Sequence, residues 1–81
     1  MVSELRIFGR RVRHLREVLG WSQEDLAERC MLHRTYLGGV ERGERNLGLL
    51  NIVAIARALN VSPSELFIDF ENQTIVRKGD Q

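Results

Sequence analysis

Eighty-one residues, 43% hydrophobic and 28% charged, make one domain near the small end of what folds unaided, and exclude a disordered chain. The lone cysteine, Cys30, excludes an internal disulfide framework and suits a reducing compartment, and the net charge of +1 is too small by itself to imply a polyanionic partner. Arg6, Arg10 and Arg11 interrupt every apolar run near Met1, which excludes a signal peptide, and no stretch approaches the ~18 apolar residues of a membrane span, so a cytoplasmic protein is expected.

The pattern predicts an all-α chain of five helical segments with no convincing strand. In the first, Leu5, Phe8, Val12, Leu15 and Leu19 recur at three- and four-residue spacing, marking one apolar face that Gly20 ends. Ser22 N-caps the second, SQEDLAER, with Asp25 placed much as in a capping box and the early acids Glu24 and Asp25 at the positive end of the helix dipole. A short link, Cys30-Met31-Leu32, leads to the third, HRTYLGGVE, closed by Gly43. The fourth opens at Asn46 or Gly48, runs to Leu59 and stops at Asn60. Ser62 and Pro63 give a cap and first turn to a short fifth helix through Leu66 and Phe67. Residues 71–81, ENQTIVRKGDQ, lose apolar periodicity and read as a tail behind a domain of residues 1–70; Thr74-Ile75-Val76 can form a strand only if something covers it.

Charge is unevenly spread. Five arginines and no acid lie between Leu5 and Arg16, whereas from Ala58 onward four acids oppose only Arg77 and Lys78. A phosphate-facing surface can form in the basic half, although an ordinary solvated helix face has the same composition. Eleven of the 12 basic residues are arginine, whose planar fork suits phosphate and guanine edges. The second and third segments are two short helices about three residues apart, which must pack at a steep angle. Leu26, Cys30 and small Ala27 form the inner face of one, and Leu32, Leu37 and Val40 that of the other. His33, Arg34, Thr35, Gly38, Gly39 and Arg42 remain outward on the third segment. Arginine and threonine thus stand at its N-terminal end, the end that enters a major groove in helix-turn-helix docking.

FGRRVRHLRE, WSQEDLAER, RTYLGGVERGERN and IVAIARALNVSPSELF follow one another between residues 8 and 67. Together they resemble the lambda-repressor-like (Cro/cI, Xre type) helix-turn-helix family. The resemblance implies a five-helix DNA-binding domain, with helices 2 and 3 as the helix-turn-helix, acting in transcription regulation. RTYLGGVERGERN is most similar to the controller proteins of restriction–modification systems, which implies regulation of the chain's own gene and of an endonuclease gene. Prophage repressors, and antitoxins that also bind a protein toxin, share the scaffold and stay open as alternatives. Met31 departs from the family pattern, which has glycine in the turn. A left-handed backbone there costs methionine of order 1 kcal/mol, so a slightly remodelled turn is expected.

Residue chemistry assigns further roles. Arg34 can bridge guanine O6 and N7, and Thr35 can offer a methyl to thymine or a hydroxyl to phosphate. Tyr36 either hydrogen-bonds a phosphate through its hydroxyl or sits as a partly buried core aromatic. Gly38 and Gly39 cost roughly 1 kcal/mol each in a helix; either they let the backbone approach DNA or they fray the helix. Arg42, Arg45 and Asn46 follow the reading helix, where the chain passes along the DNA backbone. The resemblance implies that Arg45 and Asn46 face DNA, that Gln23 bonds phosphate and buttresses the reading helix, and that Arg16 and Glu41 form a partly buried ion pair. Among Arg10, Arg11 and Arg13, phosphate contacts are expected, though not from all three.

The fourth helix is apolar around most of its circumference, broken only by Asn51 and Arg57. A rim helix needs one apolar stripe. Leu50, Val53 and Ala54, extended by Phe67, Ile68 and Phe70, are therefore surplus to a monomer's core and mark an interface, unless the tail covers them. A two-fold homodimer on double-stranded operator DNA is expected, its reading helices roughly 34 Å apart. His14 and His33 lack metal-ligand spacing with Cys30, and no H-E-x-x-H, P-loop or nucleophile motif occurs. A Cys30–His33 pair is disfavoured because Cys30 falls on a packing face. No enzyme activity, metal, cofactor, small-molecule ligand or membrane partner is expected.

Overall fold

In the computed structural model, which describes residues 3–73, four α-helices precede a 3-10 helix and one last helical turn. These are α1 (Glu4–Val18), α2 (Gln23–Cys30), α3 (Arg34–Glu41), α4 (Leu49–Leu59), the 3-10 helix Pro63–Phe67, and α5 (Phe70–Gln73). No strand occurs among the described residues, and no helix there is long and apolar enough to cross a membrane.

The fifth expected helix is corrected to a 3-10 turn. An α-helical cap needs the Ser62 hydroxyl to accept a backbone N–H, but that hydroxyl is bonded to the Ser64 hydroxyl at 2.7 Å. The Glu65 N–H instead reaches the Ser62 carbonyl at 3.0 Å, a three-residue closure. The tighter turn delivers Leu66, fully buried, between α1 and α4. α5 also crosses the expected boundary at residue 70, while Thr74-Ile75-Val76 lies outside the described residues.

Local signals set the other boundaries. Ser22 and Asp25 form a full capping box, each side chain bonded to the other's backbone N–H at 2.9–3.0 Å. Gly48 caps α4. All four long helices end in a Schellman closure, with Gly20, Met31, Gly43 and Asn60 in the left-handed region. At Met31 the turn is not remodelled. Met31 holds φ 59° and ψ 37°, Leu32 N–H reaches the Ala27 carbonyl at 3.0 Å, and the side chain is 90% exposed. Methionine therefore carries the glycine conformation and its strain.

The core joins Phe8 and Val12 of α1, Leu26, Ala27 and Cys30 of α2, Leu37 and Val40 of α3, Ile55, Ala56 and Leu59 of α4, and Leu66. Leu5 and Leu15 are half-buried, whereas Leu19 lies past the end of α1 and is largely exposed. α3 packs on α1 and α2, and α4 covers α2 from the other side. Gly9 makes the α1–α3 approach possible: a Cβ there would lie 2.3 Å from the Val40 carbonyl oxygen. Burying a side chain the size of Leu37 contributes about 1.5–3 kcal/mol, so these contacts fix the angle at which α3 is presented.

Candidate nucleic-acid interface

The N-terminal end of α3 projects from this frame. His33 is its N-cap, Nδ1 accepting the Thr35 N–H at 3.2 Å, so His33 shapes the helix start instead of lying along the helix. Arg34 and Thr35 are exposed. Arg34 has one charged neighbour, Glu24, at 3.7 Å, with both side chains mostly in solvent. Such a contact contributes little and leaves the guanidinium available.

The C-terminal end of α3 is held from beneath. Arg16 donates Nε to Glu41 Oε2 at 2.7 Å and Nη2 to Oε1 at 3.0 Å, and its Nη1 bonds the Trp21 carbonyl at 2.6 Å. The Glu41 side chain is only 2% exposed. The Glu41 hydrogen bond, and then its charge, raise the Arg16 pKa above its ordinary value against the lowering effect of burial. Gln23 adds Nε2 to Glu41 Oε1 at 3.0 Å, tying the start of α2 to the end of α3. The buttressing expected of Gln23 is thus a direct bond to the ion pair.

The two glycines are buried inside a continuous helix, so fraying is excluded. A Cβ on Gly38 would lie 3.2 Å from Arg42 Nη1 and 3.3 Å from Gln23 Oε1; one on Gly39 would lie 3.1 Å from Arg45 Cγ and Nε. Long side chains from α2 and from the segment after α3 occupy the vacant space. Arg45 also stands 5.8 Å over the Tyr36 ring. Tyr36 takes the second of its two expected positions: its ring packs on the core, while its hydroxyl accepts Asn51 Nδ2 at 3.2 Å. Arg42 forms a bidentate pair with Glu44 at 3.0 and 3.2 Å.

Gln23, Arg34, Thr35, Gly38, Gly39, Arg42 and Arg45 thus gather around α3. Asn46, next to Arg45, is exposed and also lines an apolar groove with Leu5, Phe8 and Phe70. Arg11 is turned away, its Nε donating to the Glu65 carbonyl at 2.9 Å. Cys30 is buried with its Sγ near the Ala27 carbonyl, and burial raises its pKa. Among the described residues no group of three His, Cys, Asp or Glu side chains can hold a metal.

The helix-turn-helix family pattern matches residues 12–66, which includes all of α2, α3 and α4. The chain belongs to the helix-turn-helix family. Within that family it is 47% identical over 72 residues to control protein C.BamHI of Bacillus amyloliquefaciens, covering 86% of this chain and 88% of that one. It is 48% identical over 60 residues to control protein C.SmaI of Serratia marcescens, covering 74% and 71%. The crystal structure of the restriction-modification controller protein C.AhdI from Aeromonas hydrophila superposes with a TM-score of 0.79 at 52% identity, over 82% of this chain and all of that one. The helix-turn-helix resemblance stated from the sequence therefore stands, with controller proteins among its near relatives. Trp21 and Asn51 complete the support of α3 and were not singled out from sequence; Trp21 acts through Arg16 five residues away and Asn51 through Tyr36 fifteen residues away.

Proposed function

We propose that this helix-turn-helix protein is a cytoplasmic transcription regulator that binds near-palindromic operator DNA as a homodimer and acts as a restriction–modification controller on its own gene and the endonuclease gene. The exposed Arg34–Thr35 pair carries this reading, on a helix whose far end is fixed by the buried Arg16–Glu41–Gln23 network. Arg34 enters the major groove as the base reader and Thr35 lies beside it, while Arg42, Arg45 and Tyr36 follow the phosphates. Leu50, Phe67 and Ile68 are exposed and supply the dimer surface, with half-buried Val53, Ala54 and Phe70 extending it. Residues 1–70 form the working domain and 71–81 its tail.

Footprinting on DNA upstream of the gene, joined to selection from random duplexes, tests the reading. Wild type should protect paired half-sites about one turn apart, and Arg34→Ala should reorder the ranking of selected sites. A wild-type protein that selects no sequence at all would sink it.

A further inference from the structure

Three guanidiniums on α1, from Arg6, Arg10 and Arg13, share one helix stripe and face Arg42 across a cleft of about 330 Å³ floored by Glu41 and edged by Glu44. Glu41 is already bonded to Arg16 and Gln23, and Glu44 to Arg42. Arg13 is shared with Glu17 at 3.0 Å, both well exposed. Arg6 and Arg10 have no carboxylate partner among the described residues. Four cations therefore line a concave surface whose two carboxylates are both spoken for. Its shape is built, not incidental. Gly43, in the left-handed region at φ +79°, lets the chain after α3 close onto the Arg6 backbone, where any Cβ would lie 2.4 Å from Arg6 Cγ.

We infer that this cleft seats a backbone phosphate of the operator duplex, on the far wall of the groove that α3 reads. The inference rests on the DNA-binding reading above. α3 spans eight residues, roughly 12 Å, so the cleft at its C-terminal end stands about one major-groove width from Arg34. A DNA phosphate suits the site better than a small anionic metabolite: the cleft is open, its cations are flexible and exposed, and it adjoins the reading helix. Arg11, equally basic in sequence, is excluded because Glu65 holds it on another face.

The test is the salt dependence of operator affinity for Arg6→Gln/Arg10→Gln. Glutamine keeps the methylenes that pack on Gly43. A homodimer seats two such phosphates, so their loss makes the slope of log K against log salt shallower by about 1.8 and weakens binding roughly sixtyfold at 0.1 M salt. The ranking of operator variants should not change, and Arg10→Lys should restore most of the slope. Arg11→Gln, which removes one charge where the double variant removes two, should leave the slope near wild type. The inference is overturned if the double variant, folded by circular dichroism, keeps the wild-type slope, or if Arg11→Gln flattens it equally. A wild-type protein lacking sequence preference would instead overturn the regulator reading, so the two failures are distinguishable.

Discussion

Arg16 and Glu41 are joined by two hydrogen bonds across the seam between α1 and the end of α3, and the carboxylate is almost wholly removed from water. A buried pair of this kind adds modest net stability but is costly to break, because the surviving charge is left unpaired. Glu41→Ala should therefore destabilise the fold by about 3–5 kcal/mol, a large share of what so small a domain has. Arg16→Met with Glu41→Leu should be much milder than either single change. Urea unfolding followed at 222 nm checks both, and a double variant as unstable as the singles would refute the unpaired-charge account.

Gly9 and Gly39 should respond oppositely to alanine. At Gly9 the added methyl meets the Val40 and Glu41 backbone at 2.3–2.9 Å, so α1 and α3 must separate and the loss should be several kcal/mol. At Gly39 the neighbour is the flexible Arg45 side chain, which can move, while alanine improves helix propensity by about 1 kcal/mol. Gly39→Ala should keep or raise stability yet weaken operator binding, because Arg45 loses its seat. Thermal melts paired with gel-shift titrations separate the two effects.

Met31→Gly should stabilise the protein. Methionine in the left-handed region costs about 1–2 kcal/mol, partly offset by the greater unfolded-state freedom of glycine. With the side chain 90% exposed, little packing is lost. A net gain of about 0.5–1 kcal/mol should raise Tm by a few degrees. A drop in Tm would show that Met31 makes a contact in solution that outweighs the strain.

Stability should be flat near neutral pH and fall at both ends. The Ser22 backbone N–H, and then its hydroxyl, hold the Asp25 carboxyl below its ordinary value. Arg13 does the same for Glu17, and Arg42 for Glu44. A folded pKa below the unfolded one gives stability that is present above about pH 4 and lost as pH falls through the folded values. Burial raises the Cys30 thiol, so its contribution is present below the unfolded value near 8.5 and is lost as pH rises beyond it. Urea midpoints measured from pH 2.5 to 10 should show both limbs. Asp25→Asn should flatten the acid limb and Cys30→Ala the alkaline one.

Helix boundaries were legible in the sequence because their causes are local. A capping box needs only Ser22 and Asp25, and a left-handed terminus only Gly20, Gly43 or Asn60. The fifth segment misled because Ser62 has a competing neighbour, Ser64, whose effect depends on hydroxyl geometry. The exposure of Arg34 and Thr35 follows from helix position alone. Which arginines of α1 stay unpaired does not, since that depends on where the 3-10 helix packs: Glu65 claims Arg11 and leaves Arg6 and Arg10. Gly38 and Gly39 read as bare backbone because nothing in their own helix reveals that Gln23, Arg42 and Arg45 fill the space.

The apolar surface on α4 gives the last prediction. Leu50 is 83% exposed and adjacent Leu49 72%, whereas Ala54 and Phe70 pack partly on the core. Changes at Ala54 or Phe70 would confuse folding with assembly; Leu50 separates them. At concentrations low enough that wild type is monomeric, Leu50→Asp should leave unfolding in urea unchanged within about 0.5 kcal/mol, as expected for a surface site. If two copies join through this face, sedimentation at tens of micromolar should change from dimer to monomer. Operator affinity should then fall by roughly 10²-fold or more, because two half-sites are no longer bound through one linked pair. Affinity for an isolated half-site should be unaffected, since the Leu50 side chain is exposed and Arg34 lies on α3, whose ion-pair support comes from α1 and α2. Wild type that sediments as a monomer at these concentrations would remove the dimer, and with it the reason for so apolar an α4.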